Sequence, residues 1–370
     1  MKVKAFAVNG LIALCSTLIA LGLGELALRV QHPQNLSLYY KTRDDLHIHR
    51  ANYVGVWRGV ETTQGYRTNS FGMRDREHET QKREGTFRIL LFGDSQLEAL
   101  QVPFDRSFPK LLEEKLNQPH SRTIEVVSVA VSGWGQSDEL AYLERYAARL
   151  SPDLILVGMT LHNDISDNMK GEFYTLTDTG LVANRVREIP PLEYKIWQVR
   201  AFLAAHSHVY QLVREGWRSA AISREGNDLS AHVVNLIRAT PSEPMERGWQ
   251  LTYELLRRIR VKGREIGAET AVFLIPLSIQ LEEEKLLGLL ARHKVPPIAV
   301  SMRRPQELMT AFGAGEQMSV IDLLPDFVAW KTRHEGLLFL KYDGHLTERG
   351  HELAAAAVAR ELLERRLIRG

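Results

Sequence analysis

The sequence predicts a three-layer α/β/α sandwich around a parallel sheet, preceded by one N-terminal transmembrane helix. The prediction depends on an uncharged apolar run near the N-terminus, on short apolar runs that alternate with amphipathic stretches, and on polar or glycine residues directly after three of those runs. Alternating strand and helix signals are typical of a parallel sheet that helices cover on both faces. A chain of 370 residues allows one large domain, or one domain with a sizeable insertion.

The first element is the apolar run from Ala5 to Gly24, which carries no charge. Lys2 and Lys4 precede the run, and Glu25 follows it. About 20 apolar residues can span a bilayer. A cleaved signal peptide is the alternative, but no Ala-x-Ala site follows and the run is longer than a typical signal core. We therefore expect an uncleaved anchor over residues 1–30, with the N-terminus in the cytoplasm and the rest of the chain on the extracytoplasmic, periplasmic side.

Cys15 is the only cysteine, and it lies within the predicted anchor. Leu14 precedes it instead of the small residue of a lipoprotein site, so we do not expect lipidation there. The rest of the chain carries no thiol, which suits an oxidising compartment without requiring one.

Composition restricts the partners. The net charge of +2 and the charged fraction of 25% give no indication of nucleic-acid binding. No glycine-rich phosphate loop is present, and no histidine cluster has convincing zinc spacing, so we expect no cofactor and no metal. The sequence does not identify protein partners.

Residues 31–86 are predicted to be an irregular lead-in, with an exposed and highly charged connection over 76–85. The predicted globular domain covers 87–370. Residues 171–240 interrupt its rhythm, which favours an inserted cap or lid. The amphipathic stretch 96–116 is interpreted as helical, with a helix over 108–116. The other predicted helices cover 139–150, 246–263 and 347–367, and the predicted strands cover 88–92, 124–131, 153–159, 270–276 and 319–323.

Ser95, Gly133 and Asn163 fall just past three successive predicted strands. In open parallel sheets the site lies beyond the carboxyl ends of the strands, so these residues are expected to lie close together. Backbone N–H groups at a helix N-terminus can also stabilise a developing oxyanion. The structural alternative for Asp94-Ser95 is a simple helix cap.

Four blocks from about Tyr66 to the C-terminus resemble the SGNH/GDSL hydrolase superfamily. They are Phe92-Gly-Asp-Ser95, Val129-Ala-Val-Ser-Gly133, His162-Asn-Asp164 and Tyr342-Asp-Gly-His345. The resemblance implies an SGNH, flavodoxin-like fold and a serine hydrolase without a cofactor. It also implies an esterase that acts on an O-acyl group, such as an O-acetyl group on an envelope glycan or an acylated small molecule.

The resemblance implies a role for each matched residue. Ser95 would be the nucleophile, His345 the base and Asp343 the acid that orients the base. The oxyanion hole would consist of the Ser95 and Gly133 N–H groups and the Asn163 amide. Gly135 is an alternative to Gly133.

Other polar residues near these blocks receive structural interpretations. Asp94 and Asp164 are expected to form hydrogen bonds at the turn or to the loop that carries Asn163. His162 lies in the oxyanion block, and His351 is interpreted as a packing residue.

One departure from the family pattern leaves the reaction open. Asp343-Gly-His345 is one residue shorter than the usual Asp-x-x-His, and the shorter form resembles SGNH-like proteins that O-acetylate polysaccharides. A polysaccharide O-acetyltransferase that uses the same acyl-enzyme is therefore an alternative. A non-catalytic glycan-binding or assembly protein is a third hypothesis, against which the presence of Ser95, Asn163, Asp343 and His345 argues.

Overall fold

The structure, a computed structural model, describes residues 2–118, 123–170, 173–184, 189–225 and 229–368. Its strands are β1 (Tyr39–Lys41), β2 (His47–His49), β3 (Val54–Arg58), β4 (Thr63–Arg67), β5 (Thr86–Gly93), β6 (Thr123–Ala130), β7 (Leu154–Thr160), β8 (Tyr174–Thr177), β9 (Gly180–Ala183), β10 (Glu269–Ile275) and β11 (Ser319–Asp322). Its α-helices are α1 (Lys2–Gln31), α2 (Ser95–Glu98), α3 (Phe108–Asn117), α4 (Gln136–Tyr146), α5 (Asp164–Asn168), α6 (Pro191–His206), α7 (His208–Glu225), α8 (Leu229–Ile237), α9 (Glu243–Glu265), α10 (Glu283–Arg292), α11 (Arg304–Glu316), α12 (Leu324–Arg333) and α13 (Glu348–Glu364).

The chain folds into two compact units. The smaller unit comprises residues 1–43 and 188–227, and the larger unit comprises residues 44–187 and 228–370. The larger unit contains a five-stranded sheet in the order β11-β10-β7-β5-β6, and every neighbouring pair is parallel.

Helices cover both faces of this sheet, which explains why all eight residues of β5 are buried. Successive side chains of a strand point to opposite faces. Ile89 and Leu91 share one core with Phe108 of α3, whereas the Phe92 ring meets the Tyr142 ring of α4 edge to face at 6.1 Å. The predicted α/β/α sandwich is therefore confirmed.

Strand register brings the strand ends that matter for the site to one edge of the sheet. Gly93 of β5 is paired with Ala130 of β6, and Thr160 of β7 is paired with Ile275 of β10. Phe92 of β5 is paired with Val157 of β7, so β7 and β10 extend two residues farther than β5 and β6 at this same edge.

Two segments differ from the expected local structure. The lead-in over 31–86 contains four short strands, of which β3 and β4 form an antiparallel hairpin with Gly55 opposite Tyr66. The stretch 96–116 is not one helix, because α2 ends at Ala99 in a left-handed conformation with φ of 57°. Pro103 follows, and it caps a short 3₁₀ turn before α3 begins. Proline removes a backbone donor, so a continuous helix through this position would be disfavoured.

The segment 171–240 is distributed over both units. Hairpin β8–β9 and α8 belong to the larger unit, whereas α6 and α7 belong to the smaller unit, which also contains α1. Residues 171–172, 185–188 and 226–228 of the segment lie outside the described residues. Within the described part of the chain, Val8–Gln31 of α1 is long and apolar enough to cross a membrane, as an anchor or a signal sequence would be.

Candidate active site

Ser95 is the first residue of α2 and directly follows the turn after β5. The Asp94 side chain caps the helix, because its Oδ1 accepts a hydrogen bond of 2.9 Å from the Gln96 N–H. Little space remains for a side chain at Gly93, since a Cβ at this position would lie 2.4 Å from Cδ1 and 3.1 Å from Cβ of Leu97. The capping interpretation and the nucleophile interpretation of Asp94-Ser95 are thus compatible.

Asp94 also connects the Ser95 turn to the loop after β7. Its carboxylate accepts hydrogen bonds from Thr160 Oγ1 at 2.8 Å and from Asn163 Nδ2 at 3.0 Å. Burial raises the pKa of Asp94, although its hydrogen bonds from Thr160, the Gln96 N–H and Asn163 act in the opposite direction. Asp94 therefore fixes the position of Asn163 relative to Ser95.

Two further buried carboxyl groups, those of Asp164 and Glu139, lie near Asp94. Asp164 Oδ2 accepts hydrogen bonds from Gln136 Nε2 at 2.7 Å and from the Thr160 N–H at 3.0 Å. Burial, with the charges of Asp94 and Glu139, raises the pKa of Asp164 well above its ordinary value. Burial also raises the pKa of Glu139 well above its ordinary value.

The proposed oxyanion donors differ in their availability. Asn163 Nδ2 donates to Asp94 Oδ2 at 3.0 Å and to Asp167 Oδ2 at 2.7 Å, so both of its amide hydrogens are engaged. By contrast, the Ser95 and Gly133 N–H groups have no acceptor among the described residues. Asn163 must therefore exchange one carboxylate partner for the substrate if it is to serve as the third donor.

Gly133 lies in the loop after β6 with φ of 80°, a conformation that favours glycine. A Cβ at this position would meet no atom within 4 Å among the described residues. The backbone conformation, rather than close packing, is therefore the local reason for a glycine at this position.

The loop before α13 brings Asp343 and His345 together. Asp343 Oδ1 and His345 Nδ1 form a hydrogen bond across a single intervening residue, Gly344, whose φ is 81°. Burial lowers the pKa of His345, but the hydrogen bond and charge of Asp343, with the charges of Asp94 and Glu98, raise it, and the net change is upward. The short Asp-Gly-His spacing thus suffices to orient the imidazole.

Gln96 links this loop to the nucleophile turn. Its Nε2 donates to the Gly344 carbonyl at 3.2 Å, and its Oε1 accepts the Leu346 N–H at 2.9 Å. Because Gln96 directly follows Ser95, these two bonds hold both backbone neighbours of His345 beside the Ser95 turn. No sequence pattern distinguished this glutamine.

Glu61 holds the same loop from the other side. Glu61 lies between β3 and β4. Its carboxylate accepts hydrogen bonds from the backbone N–H groups of Lys341 at 2.9 Å, Tyr342 at 2.8 Å and Asp343 at 2.9 Å. The Asp343 N–H is the main cause of a lowered pKa at Glu61. No sequence pattern distinguishes this glutamate, because it lies in the lead-in, outside every family-like block.

Ser95 Oγ makes no hydrogen bond with His345 among the described residues. With Nδ1 engaged by Asp343, Nε2 of His345 is the nitrogen that could accept the serine proton. Catalytic hydrogen bonds are often long in ligand-free enzymes and shorten when substrate binds.

A cavity of about 410 Å³ lies beside the oxyanion block. His162, which precedes Asn163, lines this cavity. Burial and the charge of His345 both lower the pKa of His162. The other lining residues are Ser230, Val233, Leu277, Ser278, Ile279, Lys285, Gly288, Leu289 and Arg292. A larger groove of about 860 Å³, lined by residues of α9 and of β8–β9, contains none of the predicted site residues.

His351 follows the Asp343 loop in the chain and lies in α13. It is almost fully buried, and burial lowers its pKa to about 3. This location agrees with a packing role. Among the described residues, no group of three or more His, Cys, Asp or Glu side chains could hold a metal ion.

No protein-family model matches the chain. Among curated proteins, an arylesterase of Vibrio mimicus is 26% identical over an alignment of 114 residues, which covers 28% of this chain and 56% of that protein. The match therefore spans little more than half of the relative's own length.

Solved structures similar to this chain include several esterases. A member of the lipolytic G-D-S-L family from Veillonella parvula is 14% identical, covers 75% of this chain and 99% of its own, and gives a TM-score of 0.39. The psychrotrophic esterase EstA from Pseudoalteromonas sp. is 12% identical, with coverages of 76% and 98% and a TM-score of 0.40. An acetyl-xylooligosaccharide esterase from Geobacillus Stearmophilus is 14% identical, with coverages of 75% and 94% and a TM-score of 0.42.

The four sequence blocks thus meet at one edge of a parallel α/β/α sheet. Proteins named as members of the G-D-S-L family and as esterases are among those to which this chain is similar.

Proposed function

We propose that the protein is a serine esterase that hydrolyses O-acyl esters through an acyl-enzyme on Ser95. The main support is the pair of Gln96 hydrogen bonds, which hold the backbone on both sides of His345 next to the Ser95 turn. The Asp343–His345 hydrogen bond adds an oriented base. A nucleophile, a base and an acid that orients the base are the groups that acyl transfer requires.

In this mechanism Ser95 Oγ attacks the ester carbonyl carbon while His345 Nε2 takes the hydroxyl proton. The resulting oxyanion accepts hydrogen bonds from the backbone N–H groups of Ser95 and Gly133 and from the side-chain amide of Asn163. The carbon–oxygen bond to the alcohol then breaks, and His345 returns the proton to the leaving alkoxide. Water, deprotonated by His345, attacks the acyl-enzyme, releases the carboxylic acid and restores the Ser95 hydroxyl.

We propose that α1 is a retained membrane anchor and that the larger unit lies on the extracytoplasmic side. Glu25, at the end of the apolar run, accepts hydrogen bonds from Ser207 Oγ at 2.9 Å and from the His208 and Val209 N–H groups at 3.0 Å each. A removable signal peptide would have no reason to complete the fold of the mature chain in this way. An anchored esterase would work at the cell envelope, and an O-acetyl group on an envelope glycan is the substrate we propose.

The first test compares the full chain with Ser95→Ala for acetate release from an aryl acetate. The variant should lose at least about 10³-fold in kcat because it lacks the nucleophile, while its thermal midpoint should stay unchanged. Ser132→Ala, at the neighbouring strand end, is the matched control and should keep its activity. Release that is independent of Ser95 would refute the acyl-enzyme. No release from any form would favour the non-catalytic alternative.

A polysaccharide O-acetyltransferase is the second candidate, favoured by the short Asp343-Gly344-His345 turn. The same assay with an added oligosaccharide separates the two reactions, because a transferase would move the acetyl group onto the sugar. Acetyl-oligosaccharide that forms at the expense of free acetate would support the transferase. Free acetate alone would support the esterase.

The 410 Å³ cavity is proposed to receive an apolar part of the acyl group. Gly288 of α10 lines it, and a Cβ at this position would meet no atom within 4 Å among the described residues. Gly288→Phe should therefore fold and occupy the cavity, which should lower kcat/KM for a hexanoate ester by about tenfold and leave the acetate ester unaffected. Gly315→Phe, at an exposed helical glycine outside the cavity, is the control. Equal losses with both esters would argue against an acyl pocket.

A further inference from the structure

Helix α6 is apolar on two opposite sides. Ala204 and Ala205 are buried, and they lie on the side that also carries Tyr194 and Trp197. On the other side, four aliphatic side chains follow one another at spacings of four, three and four residues. This outer stripe consists of Leu192, Ile196, Val199 and Leu203, with exposed fractions of 72%, 45%, 58% and 37%.

A helix that is apolar on all sides is normally buried all round. The outer stripe, however, has no cover among the described residues. Lys195 and Arg200 flank the stripe on its two sides, as the helical period of 3.6 residues requires. Long cationic side chains beside an apolar stripe are typical of helices that lie in a membrane interface, where the stems are buried and the charges reach the headgroups.

Helix α7 continues the same pattern. Leu212, Val213 and Trp217 are 45%, 53% and 77% exposed, and Arg214 and Arg218 lie beside them. Tryptophan is enriched at the membrane–water interface because its ring is amphipathic.

The corner between α6 and α7 is attached directly to α1. Besides the three hydrogen bonds accepted by Glu25, Arg29 donates to the His206 carbonyl at 2.8 Å. These contacts join the end of the apolar run to the corner, so a bilayer crossed by α1 would have its surface near α6 and α7. The membrane interface of α1 is thus continuous with the exposed apolar surface of the other two helices.

We propose that α6 and α7 lie in the interface of the phospholipid bilayer that α1 crosses. The outer stripe would contact acyl chains, and Lys195 and Arg200 would contact anionic headgroups. This inference depends on the proposed anchor and extends it from one spanning helix to a membrane unit of three helices.

The test uses the full chain with Cys15→Ser, reconstituted into vesicles of phosphatidylethanolamine and phosphatidylglycerol. Nitroxide labels are placed one at a time at Leu18→Cys in α1, at Val199→Cys in the outer stripe and at Ile298→Cys, which is a water-exposed control in the larger unit with 93% exposure. Collision rates with oxygen, which is soluble in lipid, and with a water-soluble nickel chelate report the depth of each label. Unchanged thermal midpoints would show that the labelled variants fold.

Labels at Leu18 and Val199 should collide several times more often with oxygen than with the nickel chelate, and the label at Ile298 should show the reverse. A lipid-exposed Leu18 with a water-exposed Val199 would overturn the inference and leave the anchor intact. A water-exposed Leu18 would refute the anchor itself. Spin–spin broadening at Val199 that disappears on dilution with unlabelled protein would identify a second copy as the cover, which would also overturn the inference.

Discussion

Ser95 and His345 are positioned by different kinds of structure. Ser95 follows a fully buried strand that is paired on both sides, with β6 and with β7. His345 lies in a loop, and long-range side-chain bonds from Gln96 and Glu61 hold that loop. The strand places its residue through backbone bonds to two neighbouring strands. The loop combines local backbone bonds, such as that from the Leu340 N–H to the His345 carbonyl at 2.7 Å, with a few long-range side-chain contacts.

The difference indicates which half of the site is easier to disturb. Removing one ladder bond from β5 leaves many others, but Gln96 and Glu61 each supply contacts that no neighbouring residue duplicates among the described residues. Substitutions around the base should therefore change the rate and its pH dependence without unfolding the sheet. Substitutions at the strand ends should act on the oxyanion.

The strongest test on the base side is Asp343→Asn. We expect kcat to fall by about 10³- to 10⁴-fold, as for other acids that orient a catalytic histidine. The carboxylate of Asp343 raises the pKa of His345, so in the variant burial should dominate and the pKa should fall. His345 must be neutral to accept a proton, so activity rises with pH through this pKa and the acid limb of kcat/KM should move to lower pH.

A pH–rate profile of the residual activity measures this shift. Asp105→Asn, at an exposed carboxylate, is the control and should leave the profile unchanged. An acid limb at the same pH in Asp343→Asn would separate Asp343 from the base.

Asn163→Ala tests the strand-end side. The loss of one oxyanion donor should lower kcat by about 10²- to 10³-fold and change KM much less. Steady-state kinetics with an aryl acetate give both values, and the thermal midpoint checks the fold because Asp94 and Asp167 lose a partner. Full activity of the variant would mean that, in the unsubstituted protein, Asp94 and Asp167 retain both amide hydrogens of Asn163. Asn163 would then have only a structural role.

Glu61→Gln should have the smallest effect of the three. One carboxylate oxygen becomes an NH₂ group that cannot accept a backbone N–H, so part of the hold on the Asp343 loop is lost. We expect kcat to fall by about tenfold with little change in KM, because the base is displaced and not removed. Glu335→Gln, at an exposed loop position, is the control. Wild-type kcat in Glu61→Gln would show that Gln96 alone suffices to place the loop.

The sequence predicted the sheet because its signals are local. The apolar runs that became β5, β6, β7, β10 and β11 are largely buried. The first three of them lead into polar or glycine turns. The four blocks could also be found from the sequence alone, because each consists of adjacent residues.

The contacts between distant segments could not be predicted. Gln96 and Leu346 are 250 residues apart in sequence, and Glu61 and Asp343 are 282 apart. A single glutamine or glutamate carries no periodic signal, so only the folded backbone reveals its partners. The helix predicted over 108–116 is present as α3, whereas the separate short helix α2 before Pro103 was not predicted.

The Glu61 contact also has a consequence for cleavage of the chain within the lead-in. A cut just before Asp44 would separate α1 from a chain that still contains α6, α7 and the β3–β4 hairpin, and this chain would keep Glu61. A cut after Arg67 would release a chain that has lost Glu61 and its hold on the Asp343 loop. The position of the cut would therefore decide whether the remaining chain keeps the hydrogen bonds that hold the Asp343 loop.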